Sequence, residues 1–150
     1  MSSDRPLLMD AIRDLLEAQR YAVLGTQGEQ GVMLNLMAFG FSVDLRTLTV
    51  ATDRATSKYA NLRRSPRAAL LVDNRSNRGS DTGAALALTI EGTAEELVGD
   101  EHAQNAARLL ARHPQMADFI QAANCALIRI TVTRYELVRG LSEVAEWRPG

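Results

Sequence analysis

The sequence predicts an α+β fold, a six-stranded antiparallel β-barrel with flanking helices, and three features carry that reading. Short apolar segments follow one another through compact turns, so each has a sequential neighbour with which to pair antiparallel. Gly92 falls inside the longest such segment, where a barrel strand bends. Helical segments are few, and closing the sheet removes edges that an open one would leave bare.

Leu8, Ile12, Leu15 and Leu16 recur at helical spacing, with Ser3 or Asp4 as N-cap and Pro6 in the first turn, and predict an opening amphipathic helix. Residues 21–26 read as a first strand and 32–41 as its return. Between them Gln27-Gly28-Glu29-Gln30-Gly31 supplies glycines for a hairpin turn. After a turn at 42–46, Leu48, Val50 and Thr52 alternate with Thr49 and Ala51 as a third strand. Residues 57–64 are helix formers, stopped at Ser65-Pro66 because a residue before proline disfavours the α region. Residues 67–73 form a fourth strand, 74–83 an exposed mobile loop, and 84–98 a long fifth strand bent at Gly92. Asp100 caps a helix running to about Arg112, Pro114 separates it from a shorter helix, and 126–139 closes the barrel.

Bulk properties narrow the functions available. A chain of 150 residues is the size of one domain, and 46% apolar with 23% charged residues is ordinary globular composition. A net charge of −1 argues against nucleic acid, whose binders concentrate basic charge. The single cysteine, Cys125, has no internal disulfide partner, and two histidines offer no cluster of soft metal ligands, which together favour a reducing, cytoplasmic setting without a metal. Acids thread the opening residues, and no apolar run approaches the about 20 residues of a membrane span, so neither signal peptide nor membrane segment is expected.

The segment with chemical content is Thr52-Asp53-Arg54-Ala55-Thr56-Ser57-Lys58-Tyr59-Ala60-Asn61-Leu62, where a strand hands over to a helix. Amides at a helix N-terminus are unpaired and the dipole there is positive, so an anion is favoured. Thr56 and Ser57 add hydroxyls, and Arg54 and Lys58 add charge matched to a phosphate monoester. The plainer alternative is that Thr56 or Ser57 caps a surface helix and Lys58 is a solvated charge.

In its order of pieces the chain from about Tyr21 to Gly140 resembles the FMN-binding split-barrel, or pyridoxamine-phosphate-oxidase-like, family. The pieces are the Thr56-Ser57-Lys58 turn, the helix ending in Asn61-Leu62 before Pro66, the Arg67-Ala-Ala-Leu-Leu-Val-Asp73 strand, Leu88 to Ala94, and Ile128 to Val132. The resemblance implies FMN phosphate at Arg54, Thr56, Ser57 and Lys58. It places the isoalloxazine along Met37, Ala38 and Phe39 and along Val50, Ala51 and Thr52, at the interface of a homodimer. Trp147 either covers the ring by stacking or anchors the C-terminal tail. The implied activity is FMN-dependent oxidoreduction, with hydride exchange at flavin N5 and a small substrate or reduced nicotinamide. Absence of an arginine on the second strand and of an Arg-rich C-terminal motif sets the chain apart from true pyridoxamine-phosphate oxidases. A haem-binding or haem-degrading protein of the same fold, with only His102 or His113 as axial ligand, remains an alternative, as do a deazaflavin in place of FMN and a flavin-binding module without turnover.

No catalytic side chain is predicted. His102 and His113 read as surface histidines, Cys125 as a small buried hydrophobe, and Arg108 and Arg112 as solubilising charges. Arg75 and Arg78 either cover an anionic ligand or are simply solvated.

Overall fold

The computed structural model describes residues 5–150. Its elements are α1 (Arg5–Ala18), β1 (Tyr21–Gly28), β2 (Gly31–Phe41), β3 (Thr47–Asp53), α2 (Ser57–Arg64), β4 (Arg67–Asp73), α3 (Asp81–Ala84), β5 (Leu86–Glu96), α4 (Gly99–Arg112), α5 (Ala117–Gln121), β6 (Cys125–Arg139) and β7 (Glu143–Trp147). The N-cap expected at Ser3 or Asp4 lies outside the described residues.

Six strands close into an antiparallel ring, β1-β2-β3-β6-β5-β4, and β7 hangs on the outside of β6 as a hairpin. Closure depends on β6, which pairs with β3 from Cys125 to Thr131 and with β5 from Ile128 to Arg139. Where β5 turns onto it, the register shifts between Glu91 and Gly92. A Cβ at Gly92 would stand 2.4 Å from the Thr131 carbonyl oxygen and 2.7 Å from Ile130 Cγ2, so only glycine fits the bend. The barrel is filled from all six strands by residues such as Leu24, Phe39, Leu48, Leu70, Ile90 and Ile130, each at most 2% exposed. Tyr135 joins them and donates its hydroxyl to Leu45 O at 2.6 Å, which satisfies the one polar atom its burial would otherwise orphan.

The ring has two short ladders of three residue pairs each, β1 with β4 and, beside α2, β2 with β3. β2 and β3 pair only from Phe39 to Phe41 against Leu48 to Val50. Below that, β2 pairs with β1 alone, and residues 51–53 of β3 pair with β6 alone. The barrel is thus split along one seam, and α2 leaves β3 at its lower end. Tyr59 and Leu62 of α2 are buried in the barrel core, each contributing about 1.5–3 kcal/mol of transfer free energy. The helix stops where Pro66 demands, with Ser65 at φ −135° and ψ 105°.

Outside the barrel α4 and α5 cover β3 and β6 through a second cluster of Ala51, Leu97, Leu109, Ile120, Cys125 and Leu127. Three expectations are corrected here. His113 is fully buried, not a surface residue, and donates Nε2–H to the Phe39 carbonyl at 2.8 Å, which pins the end of α4 to β2. Arg112 is no solubilising charge. Its guanidinium lies 5.0 Å and 5.1 Å from the rings of Phe39 and Phe41 and donates to the carbonyls of Leu16 and Gln19, capping α1. Asp100 sits in the first turn of α4, whose N-cap is Val98 without a side-chain bond. The polar loop is exposed as expected, but Asp81 gathers it by accepting from the amides of Ser76, Asn77 and Arg78.

Gly92→Ala is expected to destabilise the protein by at least about 1–3 kcal/mol, because its methyl must displace β6 backbone at the closure point. Urea unfolding of wild type and variant measures the difference, and an unchanged midpoint would show that the bend tolerates a side chain.

Candidate functional site

The turn from β3 into α2 is built by its own short polar residues. Thr56 is the N-cap: its Oγ1 donates to Asp53 O at 2.8 Å, accepts from the Tyr59 amide at 3.4 Å, and lies 3.0 Å from Thr52 Oγ1. Asp53 Oδ1 accepts from the Ala55 amide and from Asn124 Nδ2. Arg54 donates Nε and Nη2 to Glu96 Oε2, at 3.2 and 2.6 Å, and Nη1 to the Ala123 carbonyl. Two of the four residues expected to grip a phosphate are therefore committed to holding the turn against β5 and the start of β6.

The other two are not. Ser57 is exposed and Lys58 half-buried, and neither side chain makes a hydrogen bond or ion pair among the described residues. Amides in a first helical turn lack intrahelical partners, so those of Ser57 and Lys58 add donors directed the same way. The helix is anchored at its far end. Asn61 donates Nδ2 to Thr26 Oγ1 at 3.1 Å and lies 3.8 Å from Met33 Sδ, and Arg64 donates to the Gln27 carbonyl and to Glu29.

Glu96 carries two pulls. Burial pushes its carboxyl up, but hydrogen bonds from Tyr59 Oη, at 2.5 Å, and from Arg54 outweigh it, and the net direction is below the usual carboxylate range. Arg63 in turn donates to Tyr59 Oη at 3.3 Å. This chain lies on the β5 side of α2, opposite Asn61, and borders a cavity of about 340 Å³ beside Tyr59, Pro66 and Glu96.

The residues expected along a ring flank the split, and three of them, Met37, Phe39 and Val50, send their side chains into the barrel core. Phe39 and Val50 are 0% exposed and point into the barrel core, with Met37 beside them at 7%. Ala38 and Thr52 are also buried, and Ala51 is covered by α4 and α5. What the split offers a planar ligand includes backbone, the edges of β2 from Gly31 up to Ala38 and of β3 beyond Val50 that do not pair with each other. Trp147 packs within its own chain: its ring stacks on Tyr135, centroids 5.6 Å apart and planes at 7°, and Arg5 lies 5.7 Å from its centroid.

Sequence reading did not single out Asn35. It sits in the splayed part of β2, opposite Leu24, and its Oδ1 is buried with no hydrogen-bond partner among the described residues. A polar residue on the inward phase of an otherwise apolar strand was the available signal. Of the remaining candidates, Cys125 is buried and burial pushes its thiol up, which leaves it inert. Arg75 chelates Asp73 through Nε and Nη2 within its own loop. His102 borders a groove of about 550 Å³ with Arg54, Cys125 and alanines of α4 and of the turn after α5. No helix is long and apolar enough to cross a membrane among the described residues.

The sequence profile described as "Pyridoxamine 5'-phosphate oxidase" matches residues 8–139. No curated protein matches the chain at a significant level. Among solved structures, the haem-binding protein from Mycobacterium smegmatis superposes with a TM-score of 0.79 at 19% identity, over 89% of this chain and 55% of that one. The haem storage protein HutZ from Vibrio cholerae gives 0.71 at 16% identity, covering 93% of this chain and 92% of that one. A FAD-binding protein from Mesorhizobium loti gives 0.69 at 16% identity, covering 85% and 89%. This chain thus spans little more than half of the M. smegmatis protein, and likeness at these identities speaks for the fold alone.

Tyr59→Phe is expected to cost about 1 kcal/mol at neutral pH by removing the hydroxyl from Glu96. The Glu96 carboxyl sits below its ordinary 4.5 when folded, so its bond network stabilises above that value and the contribution is lost as pH falls through the folded value. The gap between wild type and variant should therefore close on acidification, as thermal melts across pH 7 to about 3 would show. A gap that does not depend on pH would leave Glu96 out of the network.

Proposed function

Because the chain belongs to the pyridoxamine 5'-phosphate oxidase family, we propose that it is an FMN-dependent oxidoreductase whose cofactor phosphate is held at the first turn of α2. The observation that carries this reading is the pairing of Ser57 and Lys58, free of internal partners, with a barrel split whose lower end opens at that turn. The Ser57 hydroxyl, the Lys58 ammonium and the two amides supply donors and one positive charge for a phosphate monoester. Arg54 and Thr56 position the turn instead of binding directly, since Glu96 already neutralises Arg54. Bound FMN supplies hydride transfer at N5, and the chain's own part is binding, orientation and exclusion of water. Backbone along residues 36–38 and 51–52 would meet the ring edge. A small organic molecule or a reduced nicotinamide is the proposed reaction partner, and the exposed apolar β2 face in place of an arginine argues against a pyridoxamine phosphate substrate.

That face supports a homodimer. Val32, Leu34 and Leu36 alternate outward along β2 and are 75%, 67% and 72% exposed, a contiguous apolar stripe of the kind that marks an interface. A second copy seated there would cover the split from outside and place two equivalent cofactors at the interface. The single buried Cys125 fits a reducing cytoplasmic setting. A haem site, as in the haem-binding relatives of this fold, would have to use His102, because His113 is sealed in the core with Nε2 committed to Phe39.

The Ser57→Ala/Lys58→Ala double variant is expected to lose about 1–3 kcal/mol of FMN affinity, measured by quenching of flavin fluorescence on titration. Unchanged affinity would remove the site. Failure of the wild type to bind FMN, together with a Soret band on haemin titration, would move the protein to the haem reading.

A further inference from the structure

Four buried side-chain polar atoms lack partners among the described residues: Asn35 Oδ1, Arg112 Nε, His113 Nδ1 and Trp147 Nε1. The last three sit in side chains already committed to packing or bonding within the fold, Arg112 between two phenylalanine rings, His113 on the Phe39 carbonyl and Trp147 on Tyr135. Asn35 has no such commitment, and no hydrogen bond to its side chain exists among the described residues. A buried acceptor without a donor is costly, so its persistence asks for a donor that arrives from outside.

Its place in the fold says where that donor belongs. Going up α2 from its C-terminus, Arg64 reaches Gln27 and Glu29, and Asn61 reaches Thr26 and Met33. The helix therefore runs back along the β1–β2 hairpin. One further turn of helix, about 5.4 Å, brings Ser57 and Lys58 level with the next inward residue of β2, about 6.6 Å beyond Met33, and that residue is Asn35. Side chains three and four residues apart share a helix face, so Ser57 and Lys58 lie on the side that carries Asn61 toward β2.

We propose that Asn35 is a specificity-determining residue of the cofactor site, whose Oδ1 accepts a hydrogen bond from a hydroxyl of the ribityl chain next to the phosphate. The assignment rests on the flavin reading above and sharpens it. A phosphate oxygen offers no proton at neutral pH and is not the partner of a carbonyl acceptor. The polyol that follows it in FMN offers several. A hydroxyl can both donate to Oδ1 and accept from Nδ2, whereas the ionised propionates of haem are acceptors only, could meet Nδ2 alone and would leave the buried Oδ1 without a donor. Asn35 therefore selects a phosphorylated polyol over a porphyrin.

The test is a comparison of Asn35→Leu with wild type toward two probes, FMN and a flavin whose ribityl phosphate is replaced by a 5-phosphopentyl chain without hydroxyls. FMN should bind the variant about tenfold more weakly, while the deoxygenated analogue binds both proteins alike. The apo-protein's melting temperature should stay the same or rise, because leucine removes a buried orphan. Asn35→Ala repeats the measurement if the leucine variant does not fold. Equal losses for both probes, no loss for FMN, or a lower apo melting temperature in both variants would overturn the assignment and leave the flavin site standing. A wild type that binds neither probe would overturn both.

Discussion

Closure of the barrel on β6 is the constraint from which the rest of the molecule follows. One strand must serve two ring neighbours in turn, pairing with β3 up to Thr131 and with β5 from Ile128 onward, so that it diverges from β3 as it meets β5. That exchange needs backbone against backbone at Gly92, with no room for a methyl. Strands closed into a small ring must also tilt and stagger, and the stagger has to be absorbed somewhere. Here it is absorbed between β2 and β3, which keep only a short common register. The same shortness recurs between β1 and β4, which also share only three residue pairs.

A seam that lacks strand pairing has to be closed by other means, and the sequence supplies α2. Tyr59 and Leu62 plug the barrel end, Asn61 ties the helix to the β1–β2 hairpin, and Arg54 with Glu96 ties its entry turn to β5. The helix is over-determined at its C-terminal end and along its β5 face. What stays uncommitted is the first turn on the β2 side. Positioning and binding are therefore divided between neighbours in sequence: Arg54 and Thr56 fix the backbone, which lets Ser57 and Lys58 keep their donors for something else.

Much of this was readable from residue patterns, because it is governed by local physics. Alternation located the six ring strands, Ser65-Pro66 marked the end of α2, and Gly92 marked the bend. The seventh strand was read only as a tail around Trp147, since of its five residues only Trp147 is buried and no buried alternation marks it. The failures share a cause. His113 and Arg112 look like helix-end surface residues, and only the docking of α4 against β2 and α1 turns them into a core hydrogen bond and a cap. Likewise Arg54 and Lys58 are indistinguishable as charges in sequence. Glu96, far along the chain, neutralises one and not the other.

The same distinction decides how a site should be sought in a chain whose motif is short. A donor or acceptor that the fold has already satisfied contributes position, and removing it damages stability first. One that the fold leaves open is paid for by stability unless a ligand completes it. Thr56, Arg54 and His113 Nε2 belong to the first kind and the buried Asn35 Oδ1 to the second, while the solvent-accessible Ser57 and Lys58 keep their donors at no such cost. In the proposed site these uncommitted groups come from two elements, β2 and α2, although 22 positions separate Asn35 from Ser57 in the chain. Convergence of unsatisfied groups from separate elements is what a built binding site requires and what an ordinary helix cap does not produce.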